Sequence, residues 1–363
     1  MDICFSAQFV DLCSKTFLQK IKAPLKAATT QLKLEMMDAR TDIIGLQDIT
    51  RIWASFHFLP ADLYVDEADM FSAFFPQEKG LYRKKKRHPK KYMNKFRLIC
   101  GPNGDLIVKT VENAKGKSLQ HIGIAMHVMA DTWAHRYFAG TPSYVINNVS
   151  REFYEYVETD EGAKERLIKF KHSPSAPDDV ENGIYSNSLG QGSENTIMNL
   201  GHGRAGHFPD YSFARYRYMP AWGEYREIIK DNPGDYVKAF TQMVYALRYL
   251  SGSSESFEKD RYDDSVMERY GDRINGIIRK RQLIASDDWK AFGQELSGKN
   301  IDDFDLSRYE EEYILAGKNE KDDTFFGRFI TAAISQKGMI TDEICRSGNR
   351  LAGFSRETGI PER

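Results

Sequence analysis

His127-Val-Met-Ala-Asp131-Thr-Trp-Ala-His135 is the stretch on which the reading of this chain turns. It lies inside an apolar segment, residues 119–138, with Gly116 before it and Gly140 after it. Ile122, Ala125, Met126, Met129 and Trp133 recur at helical spacing, so a buried helix stopped by glycine is expected. His127, Asp131 and His135 fall at i, i+4 and i+8, on one face of that helix. At about 1.5 Å per residue the two histidines lie roughly 12 Å apart along the axis, too far to share one ion at a Zn–N distance of about 2 Å. The spacing points to two metals, with Asp131 between them as a bridging carboxylate. The competing reading is a core helix whose histidines and aspartate are only hydrogen-bonded. Three ligand-type residues on one face favour metal.

At 363 residues the chain can bury a sizeable core, and its 41% hydrophobic content is that of a globular protein. A net charge of −1 gives no global footprint for nucleic acid. Cys4, Cys13, Cys100 and Cys345 are scattered without CxxC spacing, which argues for a reducing compartment and against a thiolate metal site. No apolar run reaches the roughly 18 residues of a membrane span, and the first residues carry no signal-peptide pattern. A cytoplasmic location is expected.

Phe5, Phe9, Leu12 and Cys13 follow helical spacing around Asp11. His57, flanked by Phe56 and Phe58 and followed by Pro60, suggests an extended core segment; alone it reads as a core histidine as readily as a ligand. The basic run at 83–91, from Arg83 to Lys91, reads as a solvated loop that could also attract the phosphates of a nucleic acid. His88 within it is a poor ligand, because neighbouring cations oppose a second positive charge. Gly-Pro-Asn-Gly at 101–104 is a turn signal, so a small β-hairpin is conceivable over 96–110. Helical amphipathic patterns are expected at 144–157 and 163–170, and His172 opens a polar loop.

Residues 200–211, Leu-Gly-His-Gly-Arg-Ala-Gly-His-Phe-Pro-Asp-Tyr, form a glycine-rich loop able to present side chains inward. Five of the eight histidines lie either here or in the segment from 119, which favours a joint site. Tyr211, Phe213, Tyr216, Tyr218, Trp222 and Tyr225 suit core packing or a substrate cleft. Further helices are expected at 236–250, 265–284, 287–296 and 323–334. The expected organisation is a metal-binding helical domain at 1–250, C-terminal helices at 251–340 packed on it in the same domain, and a tail at 341–363. HExxH, His-Asp and ExxH motifs, a Gly-x-Ser-x-Gly elbow and a Walker loop are all missing from the sequence. The fold class expected is all-α, a multi-helix bundle.

The central block resembles the signature of a bacterial family without an established activity. That family also carries blocks like Gln8-Phe9-Val10-Asp11, Ser55 to Pro60, and the Gly-His-Gly-x-x-Gly-His-x-Pro-Asp of Gly201 to Asp210. More remotely the arrangement is similar to the zinc-dependent phospholipase C and S1/P1 nuclease superfamily, all-α phosphodiesterases with three zinc ions. Carried over by position, the resemblance implies that Asp11, His57, His127 and Asp131 hold one metal. His135, His207 and Asp210 would hold a second, with His202 an alternative to His207. The gap from Asp131 to the next histidine is shorter than in the superfamily, and no histidine precedes His57 to serve the third metal. Asp11 arrives so early that a truncated form of a longer member is also conceivable.

The function expected is a metal-dependent hydrolase of phosphate esters, either small molecules or a polymeric phosphodiester such as nucleic acid or phospholipid. Two zinc ions are expected, with manganese or iron as acceptable substitutes. Asp11 or Asp131 would accept a proton or orient the nucleophile, and Arg204 would offset phosphate charge. The alternatives are a non-catalytic helical protein with a structural metal site, or a degenerate, truncated family member.

Overall fold

A computed structural model of the chain describes residues 1–32, 36, 43–66, 69, 90–149, 151–171, 176–187, 200–252 and 256–353. Its helices are α1 (Asp2–Phe9), α2 (Lys15–Lys20), α3 (Ile43–Phe56), α4 (Lys90–Phe96), α5 (Asp105–Ala114), α6 (Leu119–Ala134) and α7 (Tyr144–Asn147), then α8 (Gly201–Ala205), α9 (Asn232–Ser251), α10 (Ser265–Arg279), α11 (Ser286–Ser297), α12 (Leu306–Leu315) and α13 (Phe325–Arg346). The strands are β1 (Tyr154–Thr159), β2 (Gly162–Leu167), β3 (Lys169–Lys171), β4 (Ile184–Ser186), β5 (Arg215–Tyr218) and β6 (Ile228–Asp231). Among the described residues no helix is long and apolar enough to cross a membrane.

The all-α expectation is therefore wrong. β2-β1-β5-β6 form an antiparallel sheet and β3-β4 a parallel pair, giving a mixed fold rather than a helical bundle. Residues 144–157 and 163–170, expected to be helical, supply much of it. Thr159 pairs with Gly162 across the two-residue turn Asp160-Glu161, and Gly162, the residue that follows the turn, takes φ +106°, a backbone that favours glycine. The alternation of β1 is disguised by Glu155, a carboxylate at an inward position. It is 2% exposed and held by Arg166, Arg281 and Tyr185 at 2.8, 2.8 and 3.1 Å. In β5 the alternation is plain: Tyr216 and Tyr218 are buried while Arg217 pairs outward with Glu165.

No hairpin forms over 96–110. Leu106, Ile107, Thr110, Val111 and Ala114 are the buried face of helix α5, whose period becomes visible only when the window runs past 110. Residues 99 and 100 instead form bridges, Pro60 with Cys100 and Ile99 with Ala139. These bridges bring the end of α3 beside the end of α6. Nor is His57 in an extended segment, because its N–H still donates to Trp53 O at the close of α3.

Three apolar clusters underlie this arrangement. The largest joins α1, α2, α3, α5, α6 and α13 around Phe9, Ile52, Val128, Phe326 and Phe329. A second packs the sheet on the chain after α6, where Tyr216, Tyr218 and Trp222 lie in the core while Tyr225 is exposed. A third joins α9, α10 and α11. Of the aromatics weighed for a cleft, most are thus packing residues.

Helix α1 crosses α6 at Gly123, where a Cβ would come within 2.5 Å of Ile3 O and Ser6 Cβ. That approach sets Asp11, just beyond α1, against the His127 face. Gly123→Ala should destabilise the protein by about 1–3 kcal/mol through overpacking against backbone. Gly276→Ala, with open space around its Cβ, should be neutral or stabilise by up to about 1 kcal/mol. Denaturant titration of both variants checks the pair.

Candidate metal centre

Helix α6 presents His127 and Asp131, and His135 caps its C-terminus. His57 enters from the end of α3. Its Nε2–H donates to the carbonyl of Thr29 at 3.0 Å, which leaves Nδ1 as the lone-pair nitrogen of the neutral ring. That Nδ1 lies 3.3 Å from His127 Nε2. Two nitrogens bound to one tetrahedral zinc at about 2.0–2.1 Å stand roughly 3.3–3.4 Å apart, so the pair fits a shared ion. Asp11 Oδ1 closes the triangle at 3.7 Å from His57 and 3.9 Å from His127. Asp131 Oδ2 lies 3.2 Å from each of the same two nitrogens.

The second group is built at the other end of the same face. His135 Nδ1–H donates to His57 O at 2.6 Å, which directs Nε2 toward Asp210 Oδ1 at 3.0 Å. His202 Nε2 reaches the same oxygen at 3.1 Å. One ligand atom each from His135, His202 and Asp210 lie within 4.8 Å of one another, as do those of Asp11, His57 and His127. Both triads offer imidazole nitrogen and carboxylate oxygen, a donor set suited to zinc, manganese or iron. The thiol of Cys100, 3.9 Å from the Asp131 carbonyl, is pushed up by burial and stays protonated, so it is no thiolate ligand.

Asp131 also meets His135, at 3.5 Å, but through Nδ1, the nitrogen turned to His57 O. Its contacts therefore group it with Asp11, His57 and His127. Between His202 and His207 the structure separates the two roles. His202 turns inward to Asp210, whereas His207 is largely exposed and donates to Asp178 at 3.0 Å. Gly206, at φ +67°, reverses the backbone between them. Arg204 is buried on the five-residue helix α8, two positions from His202 and so on a different face, with its guanidinium 6.0 Å from the Tyr144 ring. Residues 83–89, with His88, and His172 lie outside the described residues, as do the side chains of Lys90 and Lys91.

Several residues that hold the site in shape had not been singled out. Asn232, fully buried at the start of α9, donates to Phe208 O at 2.7 Å and Tyr211 O at 2.9 Å, bracketing Asp210. Tyr236 donates to Asp210 O at 3.0 Å. The Asp-Asn-Pro-Gly at 231–234 is a recognisable helix start, but nothing in it names the loop it would pin. Thr29 acts through its carbonyl, which no side-chain pattern reports. Asp178 lies in a polar stretch that reads as loop.

Burial opposes charge on Asp131, Asp210, His127 and His135, and the opposite charges outweigh it. The imidazoles of His135 and His127 hold the Asp131 carboxyl well below the usual carboxylate range. His202 and His135 hold Asp210 down in the same way. Asp131 and Asp210 push His135 up to about 9, and Asp131 raises His127.

The profile of DUF6765, a family of unknown function, matches residues 1–344. No curated protein matches the chain, and no solved structure does.

Two expectations follow. In protein purified without a histidine tag, His202→Ala should lower the metal content by about one ion per chain, and His207→Ala should leave it unchanged. Elemental analysis decides, and equal content in the two variants would remove His202 from the site. The second concerns pH. In the folded, metal-free chain His135 keeps its proton up to about 9, against 6.5 for the ordinary imidazole. The stability this supplies is full below about 6.5 and is lost as pH rises towards 9. Melting temperatures of chelator-treated protein should fall across that window, and the fall should be shallower in His135→Gln.

Proposed function

The chain belongs to the DUF6765 family, and we propose that it is a metal-dependent hydrolase acting on phosphate esters. The observation that carries this reading is the pairing of two His/Asp triads, each with one buried imidazole, one partly exposed imidazole and one solvent-facing carboxylate. Asp11 is 61% exposed at its side chain and Asp210 45%, so both triads open to substrate rather than close as structural sites do. The phosphate ester is the part that rests on the resemblance to the phospholipase C and S1/P1 nuclease superfamily.

Asp11, His57, His127 and Asp131 would hold one ion, and His135, His202 and Asp210 the other, with zinc the first choice for this donor set. Bound there, the ions would supply Lewis acidity and a water of lowered pKa. Asp131 stays ionised and is a weak proton acceptor, so its role is to hold charge balance against His57 and His127. Asp11, the most exposed carboxylate of the set, is the residue placed to orient an attacking water. Arg204 is left out of this mechanism, since its guanidinium faces Tyr144. All four cysteines are free thiols, which supports a reducing compartment such as the cytoplasm.

The test is a panel of generic phosphate monoesters and diesters, single-stranded nucleic acid and phospholipid, with metal-loaded wild type and Asp131→Ala. Turnover of at least one substrate is expected, reduced about a hundredfold or more in the variant, beyond what loss of an outer partner costs. No turnover at full metal occupancy would leave a structural metal site as the better reading. Turnover that survives in Asp131→Ala would belong to another site or a contaminant.

A further inference from the structure

Beside the triads lies a cleft of about 340 Å³. Asp131 and Asp210 form its polar end, and Tyr236, Phe240, Met243, Ile278 and Trp289 line the rest. These apolar residues come from α9, α10 and α11, none of which carries a ligand of either triad. Phe240 and Trp289 are stacked, with ring centroids 5.7 Å apart and planes 16° from parallel. Tyr236, Phe240, Met243 and Trp289 remain partly exposed, so the wall is open to a ligand rather than closed core. The Ser212 hydroxyl donates to Ile278 O at 2.8 Å, tying the Asp210 loop to the end of α10.

The wall offers little to hydrogen-bond. Its side-chain polar groups are the two carboxylates, the Tyr236 hydroxyl and the Trp289 indole N–H. The Tyr236 hydrogen is already directed at the carbonyls of Pro209 and Asp210, at 3.2 and 3.0 Å. A sugar or a nucleobase placed here would leave hydroxyls or base edges without partners, a cost that an apolar group escapes. The volume is at the lower end of small-molecule sites, which run from about 300 to 1,000 Å³, so it suits one compact group rather than a polymer segment.

We infer that this cleft receives the organic group of the substrate, and that the group is a compact aryl or alkyl moiety rather than a sugar or nucleobase. The inference rests on the phosphate-ester reading above and narrows it to apolar esters. Hydrolysis of such an ester joins the water oxygen to phosphorus as the ester P–O bond breaks, and the departing phenol or alcohol takes up a proton from that water.

Phosphonates, which carry no ester bond to cleave, separate binding from turnover. Calorimetry on zinc-loaded protein should give phenylphosphonate an affinity about ten- to a hundredfold above that of methylphosphonate, the range expected for burying one ring. 2-Hydroxyethylphosphonate should bind no better than methylphosphonate. In Trp289→Ala, and separately in Met243→Ala, the phenyl preference should shrink to about threefold or less, with methylphosphonate affinity and zinc content unchanged. Equal affinity for phenyl- and methylphosphonate in the wild type, or a preference retained in both variants, overturns the inference while leaving the metal site standing. Absence of uptake of zinc, manganese and iron alike overturns the metal reading and this inference with it.

Discussion

The Asp131 carboxylate, set among the imidazoles of His57, His127 and His135, is the interaction on which the rest of the centre depends. A largely buried negative charge is tolerable only where positive charge or hydrogen-bond donors surround it. In the metal-free chain the raised affinity of His135 and His127 for protons meets that need. A bound cation would meet it in their place, releasing protons as it enters. The same carboxylate thus couples folding, protonation and metal binding, and α1, α3 and α6 must be docked before any of the three is complete.

How far the sequence reveals this differs from residue to residue. The α6 triplet is legible because i, i+4 and i+8 fix a shared face with no knowledge of tertiary structure. Asp11 and His57 were tied to that face by family resemblance, since nothing in their local patterns points to it. The choice between His202 and His207 was beyond the pattern altogether. Both sit among glycines, and what separates them is the backbone reversal at Gly206 and the distant carboxylate of Asp178. The sheet was missed for a different reason. Glu155 occupies an inward position whose partners, Arg166, Arg281 and Tyr185, come from β2, from just beyond α10 and from β4. A charged residue there breaks the apolar alternation by which a strand is recognised.

Two packing regions, each drawn from distant parts of the chain, also divide the work. The α1–α3–α6–α13 core supplies the first triad, and helix α13 reaches it through Gln336, which donates to Ser55 O at 3.2 Å, two residues before His57. The second triad depends on the sheet side of the molecule, where β6 runs into α9 and Asn232 fixes the loop carrying Asp210. Lys230, at the end of β6, donates to Trp133 O at 2.8 Å and pairs with Asp235 at 2.7 Å, closing the last turn of α6 from that side. Helix α6 is therefore held from both regions, through the α3 terminus on one side and Lys230 on the other.

This clamping makes the two triads mechanically dependent. His57 contributes Nδ1 to the first triad, while its own carbonyl takes the Nδ1–H of His135 and aims that ring at Asp210. Phe58, the next residue, stacks on the His135 ring at 4.9 Å and 28°. A shift of the α3 terminus would move a ligand of one group and the orienting partner of the other together. His57 and His135, pinned by backbone carbonyls, are the fixed members of the two triads, and the exposed carboxylates Asp11 and Asp210 are the adjustable ones. Exchange of water or substrate at either group is then expected on the carboxylate side, which for Asp210 is the side that faces the apolar cleft.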